Sequence, residues 1–137
     1  MSAVRTSAQV NDQLVTGGKA CRVYEFGGPE VIRFEAQDAL RPGDGEVLVR
    51  VKASGVGPWD GWIRAGKSAL TRLLPLTLGS DLAGVVEAVG PNVTSSARGD
   101  AVFGVTNPQF TGSYADYAIA TATMIARKPA SISAEVR

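Results

Sequence analysis

The sequence predicts a mostly β domain, folded as a partly open β-barrel with short helices. Short segments with apolar residues at alternating positions recur along the 137-residue chain. Clusters of glycine and proline separate these segments and so limit each one to the length of a short strand. The clearest segment has one apolar and one polar side, which is typical of an antiparallel sheet rather than a parallel α/β sheet.

The composition excludes several classes of function. The 14 Lys and Arg residues nearly balance the 13 Asp and Glu residues, and a net charge of +1 offers no basic field for nucleic acid. The sequence contains no histidine, which removes imidazole bases, the Ser-His-Asp triad and most zinc sites. The single cysteine, Cys21, can form no intramolecular disulfide, and we expect it to be an inert, small apolar side chain.

The length predicts one domain. Residues 1–18 contain only scattered apolar residues among polar ones, which predicts a disordered leader rather than a secretory signal. Residues 19–137 are expected to form the domain. No apolar run approaches the roughly 18 residues that span a bilayer, so we expect a cytoplasmic protein with no membrane partner.

A β-hairpin is predicted at the start of the domain. Residues Lys19–Phe26 are rich in β-formers and predict a strand. The turn signal Gly27–Glu30 follows, with two glycines and a proline. Residues Val31–Glu35 predict the returning strand.

The best strand in the sequence is Glu46–Ala53. Val47, Val49 and Val51 share one face, while two basic residues alternate with them on the other face. This period of two predicts an antiparallel strand with one side in the core.

A short helix is predicted after that strand. Pro58 suits the first position of a helix and Gly66 suits its end. Trp59, Trp62 and Ile63 fall at positions i, i+3 and i+4, so they predict one apolar side.

Four more strands are predicted in the second half of the chain. Tyr114 and Tyr117 are three apart on the third of them and should face opposite ways, one in the core and the other at a domain seam. The strands are Gly79–Gly90, Ala101–Val105, Ser113–Ala120 and Met124–Lys128.

An ordered series of short motifs then points to a family. The series consists of Gly28-Pro29-Glu30-Val31, Gly45-Glu46-Val47-Leu48-Val49, Asp60 with Ile63-Arg64-Ala65-Gly66, Gly79-Ser80-Asp81-Leu82-Ala83-Gly84-Val85-Val86, Gly99-Asp100-Ala101-Val102 and Gly112-Ser113-Tyr114-Ala115-Asp116-Tyr117. In this order and spacing it resembles the N-terminal GroES-like domain of the medium-chain dehydrogenase/reductase superfamily. The resemblance is to the zinc-independent NADPH:quinone oxidoreductase branch and covers about residues 19–135.

The resemblance predicts that no metal is bound. Zinc-dependent members place a cysteine ligand in the loop that here reads Val56–Asp60, and a histidine and a glutamate just after the equivalent of Gly79. This loop has no cysteine, and Ser80 and Asp81 follow the glycine. A catalytic zinc needs three protein ligands, which these residues do not supply.

The resemblance implies reduction of quinones, enones or related carbonyl compounds by hydride from NADPH. The residues expected to line the cleft beside the nicotinamide are Gly57, Pro58, Trp59, Asp60, Trp62, Arg64 and Asp81. The family often has an asparagine at the position of Gly57 and a tyrosine at that of Trp62. Both polar groups are absent here, so no catalytic residue is assigned.

Each candidate residue also has a structural interpretation. Helical spacing makes core packing as good an interpretation of Trp59 and Trp62 as cleft lining. Asp60 is expected to tether its loop by hydrogen bonds rather than to act in catalysis, and Arg64 to pair with it. Asp81 is expected to satisfy backbone groups.

No cofactor-binding loop is predicted in this chain. Gly55, Gly57 and Gly61 lack the spacing and the βαβ context of a dinucleotide fingerprint. We therefore expect the substrate-side half of a reductase, without a Rossmann domain, that does not bind NADPH alone. The nucleotide-binding domain would be supplied in cis or in trans.

Two further expectations concern partners. A non-enzymatic truncated domain or binding module is the alternative to an enzyme part. The face around Trp59, Trp62 and Leu82 is expected to be adhesive, which leaves a homo-oligomer open.

Overall fold

The computed structural model describes residues 17–69 and 73–133 and confirms the mostly β prediction. The described residues form two antiparallel sheets and one short α-helix, α1, over Pro58–Arg64. Single turns of 3₁₀-helix occur at Pro29–Val31 and Ala122–Met124. The strands are β1 (Lys19–Val23), β2 (Arg33–Ala36), β3 (Glu46–Gly55), β4 (Leu76–Thr77), β5 (Asp81–Val89), β6 (Ala101–Val105), β7 (Tyr117–Thr121) and β8 (Ile125–Arg127).

The larger sheet has the strand order β7-β3-β5-β6-β8 and contains the main core. Val47 and Val49 of β3 are fully buried, as the alternation predicted. They pack with Val86 of β5 and Val102 of β6. Gly84 lies opposite Val51, where a Cβ would collide with the carbonyl group of Arg50. The glycine therefore allows β3 and β5 to approach closely.

The smaller sheet has the order β2-β1-β4 and carries a second core beneath α1. Ile63, on the inner side of the helix, is 2% exposed and packs with Val23, Leu76 and Leu78. This apolar contact fixes the helix against the sheet. The predicted hairpin of β1 and β2 is confirmed, with Cys21 paired to Phe34.

Residues 113–116 join the two sheets. The prediction included them in one strand with residues 117–120, whereas β7 begins at Tyr117. Their backbone bonds run to both sheets: Cys21 donates to the Tyr114 carbonyl at 2.8 Å, and Val51 donates to the Asp116 carbonyl at 2.9 Å. The segment leaves the regular ladder because it bridges the sheets, which gives the partly open barrel.

The described part of the chain contains no helix long and apolar enough to cross a bilayer. Most of the predicted leader, residues 1–16, lies outside the described residues. Its last two residues are tied to the domain by Gln37. The side-chain amide of Gln37 donates to the Gly17 carbonyl at 2.9 Å, and its backbone amide donates to the Gly18 carbonyl at 2.9 Å.

Candidate functional site

The helix α1 positions the candidate residues at the end of β3. Gly57 precedes the helix in an extended conformation and Pro58 occupies its first position, as predicted. The carboxylate of Asp60 accepts a hydrogen bond from the Gly57 amide at 2.9 Å, which satisfies a donor left free at a helix start. Gly66, with φ of 77°, follows the helix end.

Asp60 is a buried tether for the loop. It is 5% exposed, and its Oδ2 accepts from both the Gly57 amide and the Tyr114 hydroxyl, the latter at 3.0 Å. Its Oδ1 has no partner among the described residues. These contacts hold the carboxylate inside the domain, so they match the structural interpretation of Asp60 rather than a catalytic one.

Tyr114 is the main residue of this network that sequence reasoning did not assign to the site. Its hydroxyl donates to Asp60 and lies 3.3 Å from the Gly55 carbonyl. Burial raises the pKa of Tyr114 far above its ordinary value, and the hydrogen bond to Asp60 and the charges of Asp60 and Asp81 raise it further. Tyr114 therefore stays protonated and cannot serve as an acid near neutral pH.

A second polar chain links the helix to the start of β5. The indole Nε1–H of Trp59 donates to Ser80 Oγ at 2.6 Å. Ser80 is 1% exposed, and its hydroxyl donates in turn to Asp81 Oδ1 at 3.3 Å. The side chain of Asp81 thus bonds a hydroxyl, whereas backbone bonds were expected.

The absence of a side chain at Gly57 leaves room for the Trp59 ring. A Cβ built on Gly57 would lie within 2.6 Å of three atoms of that ring. Any side chain at position 57 would have to displace the indole. The glycine and the tryptophan are therefore coupled, which explains in steric terms why no asparagine fits here.

The remaining helix residues face outwards. Trp59 is 37% and Trp62 is 56% exposed, so neither is a core residue. Arg64 Nε donates to the Gly27 carbonyl at 3.2 Å. Among the described contacts it forms no ion pair with Asp60, so that predicted pair is not formed. Leu82 is 4% exposed and belongs to the main core, so its prediction as part of an adhesive face was wrong.

The structure brings four of the seven predicted cleft residues into two linked groups. Asp60 is joined to Gly57, and Asp81 is joined through Ser80 to Trp59. Pro58 and Trp62 lie beside them on α1, while Arg64 turns to the far side. Two cavities of about 460 and 490 Å³ include none of these seven, although Val56 and Tyr114 line the smaller one. The candidate site is an open surface.

No metal-binding cluster of three or more His, Cys, Asp or Glu side chains occurs among residues 17–69 and 73–133. The serine hydroxyl at position 80 is buried and already bonded on both sides. What the arrangement offers is a fixed indole face, a carboxylate and a short polar chain.

Comparison with known proteins assigns the family. Residues 43–130 match the family model described as alcohol dehydrogenase GroES-like domain. Human quinone oxidoreductase is 44% identical over 120 residues, which are 85% of this chain and 36% of the relative. A mycobacterial quinone oxidoreductase structure has a TM-score of 0.79 at 37% identity, covering 87% of this chain and 36% of that chain. Escherichia coli quinone oxidoreductase, solved in complex with NADPH, has a TM-score of 0.78 at 31% identity, covering 85% of this chain and 35% of that chain.

The chain belongs to the family of alcohol dehydrogenase GroES-like domains. The three relatives named above are quinone oxidoreductases, the branch that the motif series resembles. The chain spans about a third of the length of these relatives. The match to the family model begins at residue 43, so it includes β3 and the candidate site.

Proposed function

We propose that this chain is the substrate-side domain of an NADPH-dependent oxidoreductase that reduces quinones or enones by hydride transfer without zinc. The observation that carries the proposal is the Trp59–Ser80–Asp81 chain at the start of β5. Ser80 and Asp81 follow Gly79, where zinc-dependent members of the superfamily place a histidine and a glutamate. Membership of the family and the names of the relatives support the reaction class.

The donor set favours chemistry without a metal. Catalytic zinc sites use Cys, His and carboxylate ligands and keep one position open. Ser80 is a neutral, buried hydroxyl with its hydrogen bonds already made. Asp81 would be the one strong ligand at this place, and one carboxylate cannot hold a catalytic zinc ion.

The residues present fit one end of the cofactor. The open surface beside Gly57 and Trp59 can contact a flat nicotinamide ring. The pyrophosphate has no cradle here, because β3 leads through Gly55 and Gly57 into a seven-residue helix and then to antiparallel strands. When bound, NADPH supplies the hydride. A nucleotide-binding domain in cis or in trans would hold its phosphates.

The protons come from water under this proposal. The Tyr114 hydroxyl points at Asp60 and its pKa is raised. The Ser80 hydroxyl bonds Asp81, and the Trp59 N–H is a hydrogen-bond donor but not an acid. The domain orients the substrate, and solvent protonates the oxygen that gains charge.

The decisive experiment is NADPH oxidation with a panel of quinones and enones, measured with and without an added nucleotide-binding domain of a quinone oxidoreductase. We expect turnover only with both parts, and no loss on adding a zinc chelator. Absence of turnover in every combination would favour the alternative, a non-enzymatic binding module. Loss with the chelator and recovery with zinc would contradict the metal-free reaction.

We also expect the chain alone to show no measurable NADPH binding, because it lacks a dinucleotide fingerprint. A fluorescence titration checks this, with the added nucleotide-binding domain as the positive control. A micromolar dissociation constant for the chain alone would contradict the prediction. The cytoplasmic location stays a prediction.

A further inference from the structure

Two partly exposed indoles lie three positions apart on α1, but only one of them is held by a hydrogen bond. Trp59 is 37% exposed and its N–H is bonded to Ser80 at 2.6 Å. Trp62 is 56% exposed and its indole makes no hydrogen bond recorded among the described residues. The more exposed ring is therefore the freer one, and the fixed ring lies beside the Gly57 loop.

We propose that Trp59 is a ring-stacking platform that makes this site prefer flat aromatic quinones to alicyclic enones. The inference rests on the proposed function, because it names the substrate class of the same surface. It concerns a specificity-determining residue, not a group that transfers protons or hydride.

The first support is preorganisation. One edge of the Trp59 ring is bonded to Ser80, and part of the ring lies where a side chain at position 57 would otherwise stand. Ser80 is itself 1% exposed and bonded to Asp81, so the anchor is fixed too. A ring that is already ordered loses little entropy when a ligand packs on it.

The second support is the chemistry of the exposed surface. An indole presents a broad electron-rich face, and aromatic rings gain from offset stacking beyond the area that they bury. A quinone ring is flat and electron-poor, so it suits such a face better than a puckered enone ring does.

The charges around the ring favour a neutral ligand. Asp81 lies at the far end of the bonded chain, and Asp60 is buried behind the loop. The cation on the same helix, Arg64, is turned to the Gly27 carbonyl. Anionic rings are therefore disfavoured here, whereas uncharged quinones are not.

The test uses the two tryptophans of the chain as reporters. Indole N–H signals of the ¹⁵N-labelled full chain are followed during titration with 1,4-naphthoquinone and with 2-cyclohexen-1-one. Quinones add to thiols, so all variants carry Cys21→Ser; Cys21 lines a cavity that includes neither tryptophan. Trp62→Leu assigns the two signals and serves as the matched control on the same helix.

We expect the Trp59 signal to shift with naphthoquinone at a dissociation constant at least about 5-fold below that for cyclohexenone. Trp59→Leu should remove this preference, and Trp62→Leu should retain it. Trp59→Phe should keep most of this preference, because a flat ring remains. This variant also keeps the test valid if Trp59→Leu folds poorly. Ser80→Ala, which keeps the ring but removes its anchor, should reduce the preference by roughly 2- to 3-fold.

Equal affinity for the two ligands, or a preference that survives Trp59→Leu, would overturn the inference. The inference would also be overturned if NADPH shifted the Trp59 signal at a lower concentration than naphthoquinone does, because the ring would then bind the cofactor. The titrations are run below the protein concentration at which the chain self-associates, and a Trp59 signal that does not shift with naphthoquinone there would also overturn the inference. No hydride transfer is needed, so failure of the proposed reaction would leave this preference measurable and distinct.

Discussion

At the scale of single residues, the polar contacts of Asp60 decide how the site loop is held. Its carboxylate joins Gly57, at the start of α1, to Tyr114, in the segment that bridges the two sheets. Asp60 therefore ties the loop at the start of α1 to the segment that bridges the sheets. Removing the Tyr114 hydroxyl should loosen this loop without changing the exposed indoles.

Tyr114→Phe is expected to lower the free energy of unfolding by about 1–3 kcal/mol, because a buried carboxylate loses a hydrogen-bond donor. Urea denaturation of both proteins measures the difference. Tyr117→Phe is the matched control, since no hydrogen bond of its hydroxyl is recorded among the described residues. Equal stability of Tyr114→Phe and the parent chain would show that the contact contributes nothing.

The pH dependence of stability should report the same residue. The pKa of Tyr114 is raised in the folded state, so above the ordinary tyrosine pKa of about 10 the unfolded chain releases a proton that the folded chain retains. Stability from this residue is present below that pH and is lost as pH rises further. Between about pH 9 and 11 the parent chain should lose stability more steeply than Tyr114→Phe. Parallel curves would contradict this.

At the scale of elements, glycines serve opposite purposes in α1 and β5. A Cβ on Gly61, inside the helix, would meet only the end of the Arg64 side chain at 3.9 Å. A Cβ on Gly84 would collide with the Arg50 carbonyl in the neighbouring strand. The helix glycine is replaceable, whereas the strand glycine is required by close packing.

Gly61→Ala should raise the free energy of unfolding by about 0.5–1 kcal/mol, through helix propensity and a less flexible unfolded chain. Gly84→Ala makes the same chemical change and should lower it by roughly 1–3 kcal/mol, because β3 and β5 must separate. Thermal or urea unfolding distinguishes the two. The same sign for both variants would show that neighbouring space does not control the effect.

At the scale of the whole molecule, three exposed apolar side chains lie close together in the sequence, at Val56 before α1 and at Trp59 and Trp62 on it. Their exposed fractions are 85%, 37% and 56%. Contiguous exposed apolar surface marks interaction sites. Leu82 is buried in the main core and does not contribute.

The isolated chain should therefore self-associate at high concentration, and Trp62→Glu should weaken the association several-fold by placing a charge on the patch. Sedimentation velocity over a concentration series measures this. Val89→Glu is the control, because Val89 is 40% exposed at the opposite end of β5 from Asp81. A parent chain that stays monomeric throughout would contradict the prediction.

Local patterns of the sequence predicted much of this fold. The alternation over Val47, Val49 and Val51 marks β3, and Pro58 marks the start of α1, because each signal depends on residues a few positions away. The hydrogen bonds of the site could not be predicted from local patterns, because their partners are far apart in the sequence. Tyr114 lies 54 positions from Asp60, and Ser80 lies 21 positions from Trp59.

The sequence alone determines the family, the order of the strands along the chain and the absence of histidine chemistry. Only the tertiary structure decides which polar groups meet, because strand pairing brings residues 113–116 and the start of β5 against the helix. It also decides that Trp59 is anchored while Trp62 is not, and that Leu82 is buried. These outcomes depend on packing between distant segments, which no local pattern records.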